Sequence, residues 1–81
     1  MNKITIRCFA GLGEQLGASV ELTAEHPLTV AELRQQLSER YPDSRDMIAR
    51  AMVAVNQEYA TEATRLTSED EIALIPLVSG G

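Results

Sequence analysis

One cysteine and one histidine among 81 residues exclude an internal disulfide framework and any zinc site built from the usual ligands. A chain that carries its lone thiol unpaired is expected in a reducing compartment. Basic residues are scarce: seven lysines and arginines against twelve acids give a net charge of −5, where a nucleic-acid binder needs a basic stripe. The acids Glu58, Glu62, Glu69, Asp70 and Glu71 crowd the last third and suit a partner with a basic surface. Long apolar runs are missing too. The longest, Ile72 to Val78, falls far short of the roughly 20 residues that span a bilayer. Met1-Asn2-Lys3-Ile4-Thr5 begins a strand pattern directly, without the apolar stretch of a signal peptide. These absences predict a cytoplasmic protein that uses neither metal, membrane nor nucleic acid.

What is present is an ordinary globular composition, 44% hydrophobic and 23% charged, without repeats, low-complexity tracts or linkers. A chain this short forms one small domain that buries about 60–65% of the surface its unfolded form exposes. That leaves a few kcal/mol of stability and little room for an internal active site. Lys3 to Cys8 alternates polar and apolar, which places Ile4, Ile6 and Cys8 on the core face of a strand. Phe9, the only phenylalanine, then falls on the polar side as an exposed aromatic. Ala10 to Gly17 reads as a glycine-punctuated connection with one helical turn burying Leu12 and Leu16. Val20, Leu22 and Ala24 alternate again and predict a second strand, hairpinned to the first.

The clearest local signal follows. Thr29 is a helix N-cap with Glu32 three residues later, a capping box, and Leu28 and Leu33 form a hydrophobic staple across it. Val30, Leu33, Leu37 and Tyr41 keep one helical face, with Arg34, Gln35, Glu39 and Arg40 mostly on the other, and Pro42 ends the helix. Asp43 or Ser44 caps a shorter helix carrying Met47, Ile48, Ala51 and Met52 inward. Val53-Ala54-Val55 reads as a strand, Asn56-Gln57 as a turn and Glu58-Tyr59-Ala60 as a return strand. Thr67 to Asp70 is a turn cluster, and Glu71 to Leu77 is a final strand apolar on both faces, as a central strand is. Pro76 should end its pairing. This order predicts an α+β domain over 1–76 with a mixed sheet of about five strands, one main helix and one or two short ones. With the first and last strands adjacent at the centre, that is the β-grasp arrangement of ubiquitin-like proteins. Residues 77–81 are then a flexible tail.

The chemistry is expected at that tail. Gly80 and Gly81 have no side chains, so a backbone ending there passes down a channel that any other residue would block. Pro76 to Gly81 reaches at most about 20 Å when extended, enough to place a carboxylate inside a partner while the domain stays outside. A carboxylate ionised at neutral pH is a poor electrophile. Activation requires a leaving group, most simply AMP from ATP, which sulfur then replaces to give a thiocarboxylate, a soft nucleophile. Phe9, Ile75, Leu77 and Val78 are apolar residues around the exit, each worth about 1.5–3 kcal/mol when buried against a partner. Gly11-x-Gly13-x-x-x-Gly17 fits no phosphate-binding loop, because Leu16 stands where a third glycine is needed and the P-loop lysine is missing. Cys8 is a core residue. His26 lies in a turn before Pro27, and no Ser/His/Asp arrangement is indicated.

The whole chain resembles the small subunits of molybdopterin synthase, ubiquitin-like sulfur carriers of molybdenum cofactor biosynthesis. The resemblance runs through Phe9-Ala10 with Glu14 and Gly17, Thr29-Val30-x-x-Leu33, Ala54-Val55-Asn56-Gln57, and Leu66-x-x-x-Asp70-Glu71-Ile72-Ala73. Its most specific part is Pro76-x-Val78-Ser79-Gly80-Gly81. It implies that Gly81 is adenylated by a ubiquitin-activating-type adenylyltransferase using ATP and sulfurated from a sulfur donor. The thiocarboxylate then delivers sulfur to cyclic pyranopterin monophosphate inside the large synthase subunit, in an assembly of two small and two large subunits. It further implies that Phe9, Ile75, Pro76, Leu77 and Val78 anchor the interface, that Ser79 and Gly80 line the channel, and that the chain is no enzyme alone and holds no permanent cofactor. The family often has arginine where Gly13 stands, and a second proline where Leu77 stands. Three other readings share parts of this pattern: the thiazole-forming sulfur carrier of thiamine synthesis, a ubiquitin-like modifier of lysines, and a binding module with an inert tail.

Overall fold

The computed structural model describes residues 2–77. In chain order the elements are β1 (Asn2–Cys8), α1 (Ala10–Leu16), β2 (Ser19–Ala24), β3 (Leu28–Thr29) and α2 (Val30–Arg40). A 3-10 turn (Pro42–Ser44) leads to α3 (Arg45–Arg50), β4 (Met52–Val55), β5 (Glu58–Tyr59), β6 (Arg65–Leu66) and β7 (Ile72–Ile75). Five strands form one sheet in the order β2-β1-β7-β4-β5, and β3 pairs with β6 apart from it. The first and last strands do lie side by side, parallel, with Ile6 opposite Ile72 and Cys8 opposite Leu74. The other pairings are antiparallel.

Strand alternation decides what each face does. Ile4, Ile6 and Cys8 of β1, Val20 and Leu22 of β2, Val53 of β4, and Ile72 and Leu74 of β7 all point inward and are buried. Val30, Leu33 and Leu37 of α2 close over them, with Leu12, Leu28, Ile48 and Leu66 filling the ends. At about 25 cal/mol per Å² of apolar surface, this single cluster is the main source of stability for so small a chain.

Helix α2 begins as its sequence predicts. The Thr29 hydroxyl accepts from the Glu32 N–H at 3.2 Å, and the Glu32 carboxylate accepts from the Thr29 N–H at 2.9 Å. Two further orphan donors at the helix start, the Val30 and Ala31 N–H groups, reach the Thr64 and Glu62 carbonyls at 3.0 and 3.1 Å. The helix stops before Pro42, with Tyr41 out of helical geometry at φ −128°.

Several details depart from the sequence reading. The connection after Phe9 is a full seven-residue helix, with Leu12 buried and Leu16 only partly so. Met52 belongs to β4 rather than to the helix before it. Arg34 does not face solvent. Its guanidinium, 18% exposed, donates to the Ile48 and Ala51 carbonyls at 2.8 and 2.6 Å and to both Glu62 oxygens at 3.0 Å. The carbonyls at the C-terminal end of α3 are orphans that need a donor, and Arg34 supplies it while holding the 60–65 loop against α2. Ser44 likewise spends its hydroxyl on the Gln15 side chain and makes no side-chain cap for α3.

Candidate functional site

The last described strand delivers the chain's end from the middle of the sheet. β7 is paired on both sides, to β1 as far as Leu74 and to β4 as far as Ile75. Pairing stops before Pro76, which has no N–H to offer. Ile75 and Pro76 are half-buried, and Leu77 is 62% exposed. Leu77 lines a cleft of about 260 Å³ with Asp46, Met47 and Arg50 of α3. Val78, Ser79, Gly80 and Gly81, the residues expected to carry the chemistry, lie outside the described residues.

Phe9 is placed by the same ladder. Its backbone stays extended, at φ −116° and ψ 157°, and its N–H donates to the Leu74 carbonyl at 3.2 Å. Alternation therefore carries its ring to the outer face, 44% exposed, with the Arg7 guanidinium 5.9 Å from the ring centroid. Glu71 approaches Arg7 at 4.0 Å.

Register assembles more of this outer face than sequence reasoning named. Ala73 of β7 lies between Arg7 and Ala54, Ala54 pairs with Tyr59, and Met52 pairs with Ile75. Phe9, Ile75, Met52, Ala73, Ala54 and Tyr59 thus share the face turned away from the helices, and Tyr59 is 71% exposed. The available signal was the alternation of β4: with Val53 inward, Met52 and Ala54 must point outward. Leu77 faces α3 across the cleft, so the expected anchors divide between a sheet face and a helix face at one end of the molecule.

The acidic last third is mostly committed internally. Glu62 pairs with Arg34 and Glu71 with Arg7. Asp70 accepts from the Thr67 N–H at 2.8 Å and from the Asn56 amide at 3.0 Å. These bonds hold its carboxyl below the usual range, the Thr67 contact most strongly. Asn56 also accepts from the Glu71 N–H at 2.9 Å, so the turn at 56 and the start of β7 are clasped together. Glu32 is lowered for the same kind of reason, chiefly by the Thr29 N–H. Burial pushes the Cys8 thiol up, keeping it protonated and unreactive.

Gly13 has a steric meaning. A Cβ there would stand 3.0 Å from the Cys8 carbonyl oxygen, so glycine lets α1 sit directly on the end of β1. A larger residue needs that helix to move outward.

Among the described residues, no group of His, Cys, Asp and Glu side chains is arranged to hold a metal, and no helix is long and apolar enough to cross a membrane. A mixed sheet grasping one main helix, with an apolar outer face beside its final central strand, defines a ubiquitin-like β-grasp protein.

Comparison with known proteins narrows that class. Residues 6–81 match the ThiS family, and the chain belongs to it. It is 35% identical over 83 aligned positions to the molybdopterin synthase sulfur carrier subunit of Mycobacterium tuberculosis, covering 100% of both chains. Among solved structures it is similar to SAMP1 from Haloferax volcanii, with a TM-score of 0.80 and 26% identity over 98% of this chain and 99% of that one. A protein complex of subunits 1 and 2 of molybdopterin-converting factor from Helicobacter pylori contains a chain of the same fold. Its TM-score is 0.66 at 20% identity, covering 98% of this chain and 99% of that one.

Proposed function

We propose that this chain is a sulfur carrier of molybdopterin synthesis, with a β-grasp domain over 1–76, a reactive tail over 77–81, and Gly81 as the reacting residue. The Gly81 carboxylate attacks the α-phosphate of ATP in a ubiquitin-activating-type adenylyltransferase, expelling pyrophosphate. Sulfur from a donor then displaces AMP: the bond from the carbonyl carbon to the phosphate-bearing oxygen breaks, and a carbon–sulfur bond forms. The thiocarboxylate enters the large synthase subunit, in a two-plus-two assembly, and gives its sulfur to cyclic pyranopterin monophosphate. The chain is the carrier and not the catalyst, holds no permanent cofactor, and works in the cytoplasm.

The observation that carries this reading is the full-length match to the Mycobacterium tuberculosis sulfur carrier subunit. The fold supplies a reason for the arrangement. β7 releases an exposed Leu77 from the centre of the sheet, beside the face bearing Phe9, Ile75, Met52 and Tyr59. Ordering each tail residue in a partner's channel costs about 1–2 kcal/mol of backbone entropy, and burying these apolar side chains offsets it. The Helicobacter pylori neighbour, solved with its subunit 2, agrees with a large-subunit partner.

Appending one alanine after Gly81 tests the reading. Sulfur transfer should be abolished with the melting temperature unchanged, and retained transfer would contradict the channel. The likeness to SAMP1, a small archaeal modifier protein, favours a second reading, in which the same carboxylate is joined to lysines. Conjugates of this chain in a cell lysate would support that alternative. Capture of a thiazole synthase instead of a large synthase subunit would move the function to thiamine synthesis.

A further inference from the structure

The outer edge of the sheet at β2 carries a device that neither the tail nor the apolar face explains. In an antiparallel pair the N–H and C=O of one residue point the same way, and successive residues alternate. The Ala18 carbonyl accepts from the Cys8 N–H at 2.9 Å, so Val20, Leu22 and Ala24 also turn their backbone groups toward β1. Ser19, Glu21 and Thr23 turn theirs to the free edge, where no strand among the described residues pairs with them. Such a row is a template for another strand.

Glu21 is the midpoint of that row, and its carbonyl is occupied. Arg40, from the last turn of α2, donates Nη1 to it at 2.9 Å. The guanidinium is steadied over the Tyr41 ring, 5.6 Å from its centroid. Two copies joining edge to edge about Glu21 would each need that N–H and that carbonyl for the central pair of bonds. Charge repulsion alone is a weak barrier there, because each Glu21 carboxylate is already met by its own Lys3 at 3.6 Å.

We propose that Arg40 guards the β2 edge, and that the occupant it keeps out is the β2 strand of a second copy of this chain. Self-association is the hazard because β2 is edge-exposed along its length while its inward residues already fit this core. The guard keeps the chain monomeric.

Light scattering on the full chain over a range of concentrations, coupled to amide hydrogen exchange, tests this. The wild type should stay monomeric. Arg40→Ala should dimerise with an association constant about tenfold higher or more, since a charge-assisted hydrogen bond no longer has to be broken in each copy. The amides of Ser19, Glu21 and Thr23 should become protected as its concentration rises. Arg40→Gln, with an uncharged and shorter side chain, serves as the second variant if Arg40→Ala fails to fold by circular dichroism. Folded variants that remain monomeric throughout would overturn the proposal. So would a dimer whose three edge amides still exchange freely, or a wild type already paired through β2.

Discussion

Asn56 and Gln57 both adopt left-handed backbone, at φ 53° and 70°, as the two-residue hairpin between β4 and β5 requires. Asn56 tolerates this and uses its side chain to clasp Asp70 and Glu71; Gln57 has no such compensation. Replacing Gln57 with glycine should raise stability by about 0.5–1 kcal/mol, measured by denaturant unfolding; a loss of stability would contradict the turn assignment. The carboxyls of Glu32 and Asp70 are held below their ordinary values of 4.5 and 3.8. Each therefore contributes stability that is fully present above its ordinary value and lost as pH falls through its depressed one. Unfolding midpoints measured downward from pH 5 should decline, and Thr29→Ala, which removes the partner hydroxyl of Glu32, should flatten part of that decline. The box at Thr29 and Glu32 was legible because its partners are three residues apart. The Asn56 clasp was not, since nothing local connects position 56 with positions 70 and 71.

At the level of elements, long-range side chains replace local signals. Helix α1 was read as a connection with only one helical turn because Gly11 and Gly13 weaken helix propensity, whereas the close approach of Gly13 to the Cys8 carbonyl is a long-range reason for glycine there. The β3–β6 pair is two residues long on each side and leaves no periodicity to detect. Arg34 was assigned to solvent by helical spacing, yet its partners lie 14 to 28 residues away. Arg34→Ala should cost about 2 kcal/mol by thermal or denaturant unfolding, because it strips a charged donor from part-buried carbonyls. Arg34→Lys should recover only part of that, lacking the fork that meets Glu62 and the carbonyls together. An unchanged midpoint for Arg34→Ala would show that α3 needs no such cap.

For the molecule as a whole, the sheet was foreseeable because alternation in the first strand and apolarity on both faces of the last leave few other places for them. Adjacency of β1 and β7 then sets the outer row from Arg7 to Tyr59, which single-strand reading did not join up. That geometry gathers Phe9, Ile75 and Leu77 near the point where the chain leaves β7, which is where the proposed function puts the reacting tail. Intact-mass spectrometry after incubation with ATP, a sulfur donor and the cognate activating enzyme tests this most directly. The account predicts a gain equal to one oxygen exchanged for one sulfur, located at Gly81 by fragmentation. An unchanged mass with an activating enzyme shown to be active, or sulfur found on Cys8 instead, would contradict it.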